Sequence, residues 1–230
     1  MHYKLCLITY FKYRSGHIFN KGIPNPCNFP RFLFTFLLKS RLIYKSSETL
    51  VEKELIEECR NGDLHNFRKV VEKSTPLIFT VAFRILGDED AARDIVQDTM
   101  VEVWQKLGKI RTAESYKTWV YRIAVNKCYD QLRKKKKRKE NRYDDQSWAV
   151  IANHLSEDGI TELENRENAM IINLLTDQLS PRQKTVFVLS ELEGMEAEEI
   201  VNITGMAKSV VKANLYYARK NIGSLLQKYL

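Results

Sequence analysis

The chain has 230 residues, 44% of them apolar and 29% charged, which suffices for one medium domain or two small ones with modest cores. Its formal charge of +8 is concentrated at one end. Residues 1–47 hold eight bases (Lys4, Lys12, Arg14, Lys21, Arg31, Lys39, Arg41 and Lys45) and no acid, and the remainder balances at 29 bases against 29 acids. Nucleic-acid affinity therefore has to come from local clusters, not from bulk charge.

Cys6, Cys27, Cys59 and Cys128 are scattered without a C-x-x-C pair or a neighbouring His, so zinc and redox motifs find no support and reduced thiols in a cytoplasmic protein are expected. His2, His17, His65 and His154 lie apart from any paired carboxylates, and no Gly-rich phosphate loop occurs. No enzyme, cofactor, metal or small-molecule substrate is expected on those grounds. The longest apolar segment, FLFTFLL at 32–38, is far shorter than the roughly 20 residues of a membrane span, and it lacks the small-residue cleavage site of a secretory signal.

In chain order, residues 1–47 form a basic tail broken by Pro24, Pro26 and Pro30, without periodicity yet too aromatic for an ordinary disordered linker. Two readings stay open for it: a start site placed upstream of true translation near Leu50, or a basic amphipathic surface anchor. Peptides from Tyr3 to Lys45 in the native protein would exclude the first.

Helical patterning begins near residue 48. Leu50, Val51, Leu55, Ile56 and Cys59 make one apolar face before NGD at 61–63. A second helix carries Phe67, Val70, Val71, Leu77, Ile78, Val81, Ala82 and Ile85 to a Gly87-Asp88 stop, with Pro76 as an expected kink or break. The third opens on Asp88, Glu89 and Asp90, where a helix N-terminus favours acids, and ends at Gly108. Val96, Met100, Val103 and Leu107 form its expected buried stripe, while Asp94, Asp98 and Val101 mark a different, exposed face.

Residues 115–139, SYKTWVYRIAVNKCYDQLRKKKKRK, contain no Pro or Gly, and Tyr121, Val125, Cys128 and Leu132 fall on one helical stripe. At about 1.5 Å per residue such a helix is roughly 37 Å long. Aromatics near its start (Tyr116, Trp119, Tyr121) and seven cations at its end, Arg133 to Lys139, suit nucleic acid with exposed bases. The competing reading is a core stripe followed by a solvated tail.

Residues 140–168 form a net acidic connector that charge keeps solvated and extended. Beyond it Met170, Ile171, Leu174 and Leu175 lead to LSPRQ, where Ser180 is the expected cap and Pro181 the first helical residue. Val186, Phe187, Leu189 and Leu192 are periodic core candidates up to Glu193-Gly194. The remainder fits a helix-turn-helix, with Ile200 and Val201 in the first helix, Gly205 at the turn and Val211 in the second. A second helix laid in the major groove would present Lys208, Ser209, Lys212, Ala213, Tyr216 and Tyr217 outward, with Arg219 and Lys220 nearer the backbone.

These strings resemble one family. SYKTWVYRIAVNKCYDQLRKK is similar to the promoter-melting segment of bacterial RNA polymerase sigma factors of the extracytoplasmic-function class, position by position at Thr118, Trp119, 121–124, Asn126, Asp130 and Arg133. The run from Asp90 to Trp104 resembles the segment by which such factors dock on polymerase, and LSPRQ…LSELEGMEAEEI resembles the domain that reads the promoter −35 element.

The resemblance implies an all-α protein of two small helical domains joined by an acidic linker. Their expected limits are 1–47 for the tail, 48–139 for a region 2-like domain, 140–168 for the linker and 169–230 for a region 4-like domain with the helix-turn-helix. It implies polymerase contacts at Asp94, Gln97, Asp98, Val101 and Trp104. It also implies a pocket for a flipped −10 base at Ile110, Arg111, Ile123 and Asn126, base flipping costing a few kcal/mol that the pocket must offset. Trp119, Arg122, Lys127, Arg133 and Lys134 complete the expected −10 surface. Relatives often carry Phe where Ile110 stands, and Arg where Asn214 and Tyr217 stand. Arg reads guanine with two hydrogen bonds and Tyr does not, so this chain's promoter preference should differ.

The expected partners are core RNA polymerase, promoter DNA and an anti-sigma factor. Two alternatives remain at this point: a stand-alone helix-turn-helix regulator, which needs no polymerase-docking segment, and a polymerase-bound factor that blocks without initiating.

Overall fold

The computed structural model of the chain describes residues 51, 53–60, 63–107, 114–137 and 172–229. Those residues are helices and short turns without a strand. The basic tail, the acidic linker, and Ile110 and Arg111 lie outside the described residues.

The first block comprises α1 (Lys53–Arg60), α2 (Leu64–Leu86), α3 (Glu89–Lys106) and α4 (Glu114–Lys137). Local chemistry sets its boundaries. The Asp63 carboxylate accepts from the His65 and Asn66 amides and starts α2, and Asp88 accepts from the Ala91 amide to start α3, each such cap contributing about 1 kcal/mol. Between them Gly87 adopts a left-handed φ of 68° and its N–H donates to the Phe83 carbonyl, the ordinary glycine solution to a helix C-terminus.

Helix α2 continues through Pro76 as one helix, so of the expected kink or break the break does not occur. Pro76 is exposed, while its neighbours Ser74, Leu77 and Ile78 are buried. Burial of the flanking turns outweighs the roughly 3 kcal/mol that an interior proline costs. In α3 the buried stripe is Ala92, Ile95, Thr99, Met100, Val103 and the adjoining Leu107. Val96, expected within it, is only half-buried, because the stripe lies one position round the helix, on the Ile95–Thr99 side.

Helix α4 is buried on more than the single stripe expected of it. Tyr116, Val120, Tyr121, Ile123, Ala124, Val125, Cys128 and Leu132 are all buried, since α2 and α3 pack on α4 and helices of the second block pack on it as well. The expected aromatic platform is correspondingly reduced. Tyr116 shares a 2.9 Å hydrogen bond with Ser74 Oγ, and Tyr121 donates to Glu193 Oε2 at 3.2 Å. Both rings belong to the interior and are unavailable for stacking on bases.

The second block has a helical stretch at 172–177, then α5 (Pro181–Phe187), a π-helical turn (Val188–Leu192), α6 (Ala197–Thr204) and α7 (Lys208–Tyr229). Ser180 and Gln183 form a reciprocal capping box with Pro181 in the first turn, as the LSPRQ string leads one to expect. The periodic run 186–192 is not one α-helix. It loosens after Phe187 into the π-turn, where the Glu193 N–H reaches the Val188 carbonyl at 3.0 Å. Gly205, with φ 70°, forms the tight corner between α6 and α7. Ile200, Ile203, Val211, Ala218 and Ile222 fill the space beneath the two helices.

The two blocks pack directly on one another, α4 against α5 and α6, and α2 against the π-turn.

Candidate nucleic-acid interface

Helix α3 presents its outward face on residues 94, 97, 98, 101 and 104, spaced so that all five share one side of the helix. Asp94, Gln97 and Asp98 are exposed, Val101 is 57% exposed and Trp104 37% exposed. Val101 and Trp104, three positions apart on this face, together make a small exposed apolar patch among polar residues. The Trp104 ring leans on Phe67 at 4.7 Å between centroids, which anchors the indole in one place and leaves its outer face open.

On α4 the expected −10 residues divide. Arg122, Asn126, Arg133 and Lys134 are exposed, and Lys127 is half-buried. Trp119 is half-buried, packed against the core and tilted on Tyr116 at 6.3 Å. Ile123 is 7% exposed and part of the core; the apolar side chain expected to line a base pocket instead packs inside. Lys127 is tied to Glu102 at 3.1 Å. Hydrogen bonds from Lys106 and Lys127 together hold the Glu102 carboxyl below its usual range. Arg133 lies 3.7 Å from Asp130 and 5.8 Å from the centre of the Tyr129 ring. The exposed Arg133–Asp130 pair is individually weak, whereas the Lys127–Glu102 pair is half-buried.

On α7 the outward face is as the motif requires. Lys208, Ser209, Lys212, Ala213, Tyr216, Tyr217 and Lys220 are exposed, the two tyrosines at 54% and 52% and packed edge-on at 5.4 Å. Lys208 pairs with Glu198 of α6 and lowers that carboxyl's pKa through their hydrogen bond. Arg219 departs from expectation. Its side chain is 11% exposed and donates to the nearly inaccessible Glu191 at 2.6 Å, so it ties α7 to the π-turn. A sequence reading could not have found that partner, 28 residues away.

The junction between blocks carries a group that the sequence did not single out. Glu193, wholly buried, accepts from Arg84 of α2 at 2.5 Å and from Tyr121 of α4 at 3.2 Å. Arg84 also donates to the Leu192 carbonyl at 3.3 Å. Arg122 donates to the Asn202 carbonyl on α6 at 2.6 Å. Beside these, burial depresses the Lys117 pKa, with Glu199 and Glu193 of the second block acting in the opposite sense. A groove of about 380 Å³ runs along the same junction, lined by Val125, Asn126 and Tyr129 of α4 and by Thr204, Gly205 and Met206 at the helix-turn-helix corner. Among the described residues no cluster of His, Cys, Asp and Glu could hold a metal ion, and no helix is long and apolar enough to cross a membrane.

A four-helix block with a polar face on its last helix, joined to a helix-turn-helix block with an open recognition helix, defines a DNA-binding protein of the transcription machinery. The comparisons with known proteins agree. Residues 70–138 match the family Sigma-70 region 2, and residues 169–222 match Sigma-70, region 4. The chain is 32% identical over 142 residues to RNA polymerase sigma factor SigV of Bacillus subtilis, covering 62% of this chain and 80% of that one. It is 26% identical over 187 residues to the RNA polymerase sigma-H factor of Pseudomonas aeruginosa, covering 78% and 95%. It is also 26% identical over 189 residues to the ECF RNA polymerase sigma-E factor of Escherichia coli K12, covering 79% and 97%. The fold is similar to that of CnrH, solved in complex with the cytosolic domain of CnrY, with a TM-score of 0.55 at 21% identity over 76% of this chain and 96% of that one.

The chain belongs to the sigma-70 family, in its extracytoplasmic-function class. It binds core RNA polymerase and promoter DNA and directs transcription from promoters.

Proposed function

We propose a division of labour among three helix faces: the outward face of α3 docks on core polymerase, α4 captures unpaired −10 bases, and α7 reads −35 in the major groove. Residues 48–139 and 169–230 then act as separate functional domains joined by 140–168. The chain works in the cytoplasm as a non-catalytic initiation factor, held in check by an anti-sigma factor.

The observation that carries this reading is the α3 face. Asp94, Gln97, Asp98, Val101 and Trp104 share it, and it combines exposed apolar area with acids. That composition fits a docking patch with a basic, partly apolar counterpart better than it fits a solvated helix side. For −10 capture, Asn126 is the strongest of the exposed α4 residues. Its amide both donates and accepts, as recognition of a base edge requires, whereas Arg122, Lys127, Arg133 and Lys134 serve phosphates. On α7, Lys208, Ser209, Lys212, Ala213, Tyr216 and Tyr217 face the groove, and Lys220 the backbone.

The test is Asp98→Arg. Asp98 is exposed and outside the core, so the folded protein should keep its stability within about 0.5 kcal/mol of wild type, while affinity for core polymerase should fall at least about tenfold. Unchanged affinity would remove this face from the interface.

A further inference from the structure

Base edges in the major groove are read in two ways: by hydrogen-bond pairs, Arg or Lys to guanine, Asn or Gln to adenine, Asp or Glu to cytosine, and by apolar contact with the thymine C5-methyl group. The open face of α7 is short of groups for the first. Arg219 is tied to Glu191 at 2.6 Å. Asn214 commits its amide N–H to the Val210 carbonyl of its own helix at 2.8 Å, and Lys208 is paired with Glu198 of α6. Ser209 is exposed, but a hydroxyl bonds to any base and discriminates little. Over residues 208–217 that leaves Lys212 as the exposed cation without an ion pair among the described residues.

Apolar surface, by contrast, is plentiful on this face. Tyr216 and Tyr217 are 54% and 52% exposed, and Ala213, three and four positions before them, is exposed as well, so the three lie on neighbouring ground of one helix side. The two rings meet edge-on at 5.4 Å between centroids and 73° between planes. Each ring restricts the other, and tyrosine has only two torsions to lose, so contact with a ligand costs little further freedom. From Ala213 to Tyr217 is about 6 Å along the axis at 1.5 Å per residue, close to two base steps of roughly 3.4 Å.

We propose that α7 reads the −35 element chiefly by methyl contact: Ala213, Tyr216 and Tyr217 pack on the C5-methyl groups of at least two neighbouring thymines, and Lys212 supplies the charged contact beside them. The DNA it selects is therefore a run of A·T pairs with thymine methyls facing the helix. The tyrosine rings, not their hydroxyls, carry the discrimination. This rests on the assignment of −35 reading to α7 and adds the base chemistry to it.

The test uses the holoenzyme, full chain on core polymerase, with duplexes randomised at −35 and held open by mismatches at −10, so that melting does not limit binding. Selection should enrich neighbouring A·T pairs. Each thymine of the enriched duplex is then replaced by deoxyuridine, which lacks only the C5-methyl group. Wild-type binding should weaken about fourfold for one covered methyl and about fifteenfold for two, the worth of one and two buried carbons. Tyr216→Ala and Tyr217→Ala should weaken binding to the thymine duplex and abolish the response to uracil at the methyl each ring covers. Tyr216→Phe and Tyr217→Phe should keep both affinity and response. The uracil comparison is made on the wild-type protein, so it stands whatever the variants do to folding.

An enriched element without thymine, uracil duplexes bound as tightly as thymine ones, or Phe variants as weak as Ala variants would each overturn methyl reading. So would a Tyr217→Ala variant that binds core polymerase more weakly in the absence of DNA, which would assign the ring pair to a protein surface. A library with no enrichment at −35 at all would overturn the assignment of −35 reading to α7 and this proposal with it, a result distinct from an enriched element indifferent to uracil.

Discussion

The Tyr116 hydroxyl joins α4 to α2 across 42 positions of sequence, sharing a 2.9 Å hydrogen bond with Ser74 Oγ where both residues are 0% exposed. Burial pushes the phenol pKa upward, which favours the neutral hydroxyl that this bond needs. Tyr116→Phe removes one oxygen and leaves Ser74 without this partner in the interior, a cost of about 1–3 kcal/mol. For a chain of this size that corresponds to roughly 2–12 °C in melting temperature. Ser74→Ala strands the Tyr116 hydroxyl instead and should cost a similar amount. Removing both groups strands neither, so Tyr116→Phe with Ser74→Ala should destabilise about as much as one single variant, well short of their sum. Urea unfolding followed by circular dichroism measures all three against wild type. A double variant whose destabilisation equals the sum would show that each hydroxyl acts independently, and the shared bond would lose its role in seating α4.

Asn126→Ala should impair initiation on duplex promoters about five- to a hundredfold, the equivalent of one base-edge contact of roughly 1–3 kcal/mol. Templates already opened at −10 should be much less affected, and equal defects on both would return Asn126 to a structural role. Neutralising Lys134 to Lys137 should flatten the salt dependence of promoter binding by about 0.9 for each phosphate no longer neutralised; an unaltered slope would make the run a solvated tail. Burial raises the Cys128 thiol to about 12 and raises Cys59 as well, so the thiolate is favoured only at high pH and both cysteines should resist alkylation at pH 8. Peptide mapping after iodoacetamide treatment checks this, with modification expected only once denaturant opens the fold; rapid labelling of native Cys128 would contradict its burial.

Much of the secondary structure was legible in the sequence, because the forces that set it act over a few residues. Asp63, Asp88 and the Ser180-Pro181-Gln183 string bond to amides within three positions. Gly87 and Gly205 supply the left-handed corners, and the absence of Pro and Gly from 115–139 allows α4 to run as one helix. Family membership was legible for a related reason: long ordered strings such as TWVYRIAVN preserve the residue types that a shared site needs, in a fixed order. What a helix does with each face is a different matter, decided by neighbours distant in sequence.

Tyr116 and Tyr121 looked like stacking platforms and proved to be interior, since their partners stand 42 and 72 positions away. Ile123 joined the core for the same reason. Arg219 resembled a DNA contact until Glu191, 28 residues back, took its guanidinium. Glu193 read as part of a stop signal, because nothing within a helical turn of it announces Arg84, 109 residues earlier. Local bonding and periodicity thus determined where the helices lie, and the resemblance of ordered strings which family they build. Only tertiary packing decided which charges were buried, because desolvating Glu191 and Glu193 is tolerable solely where distant guanidinium groups meet them.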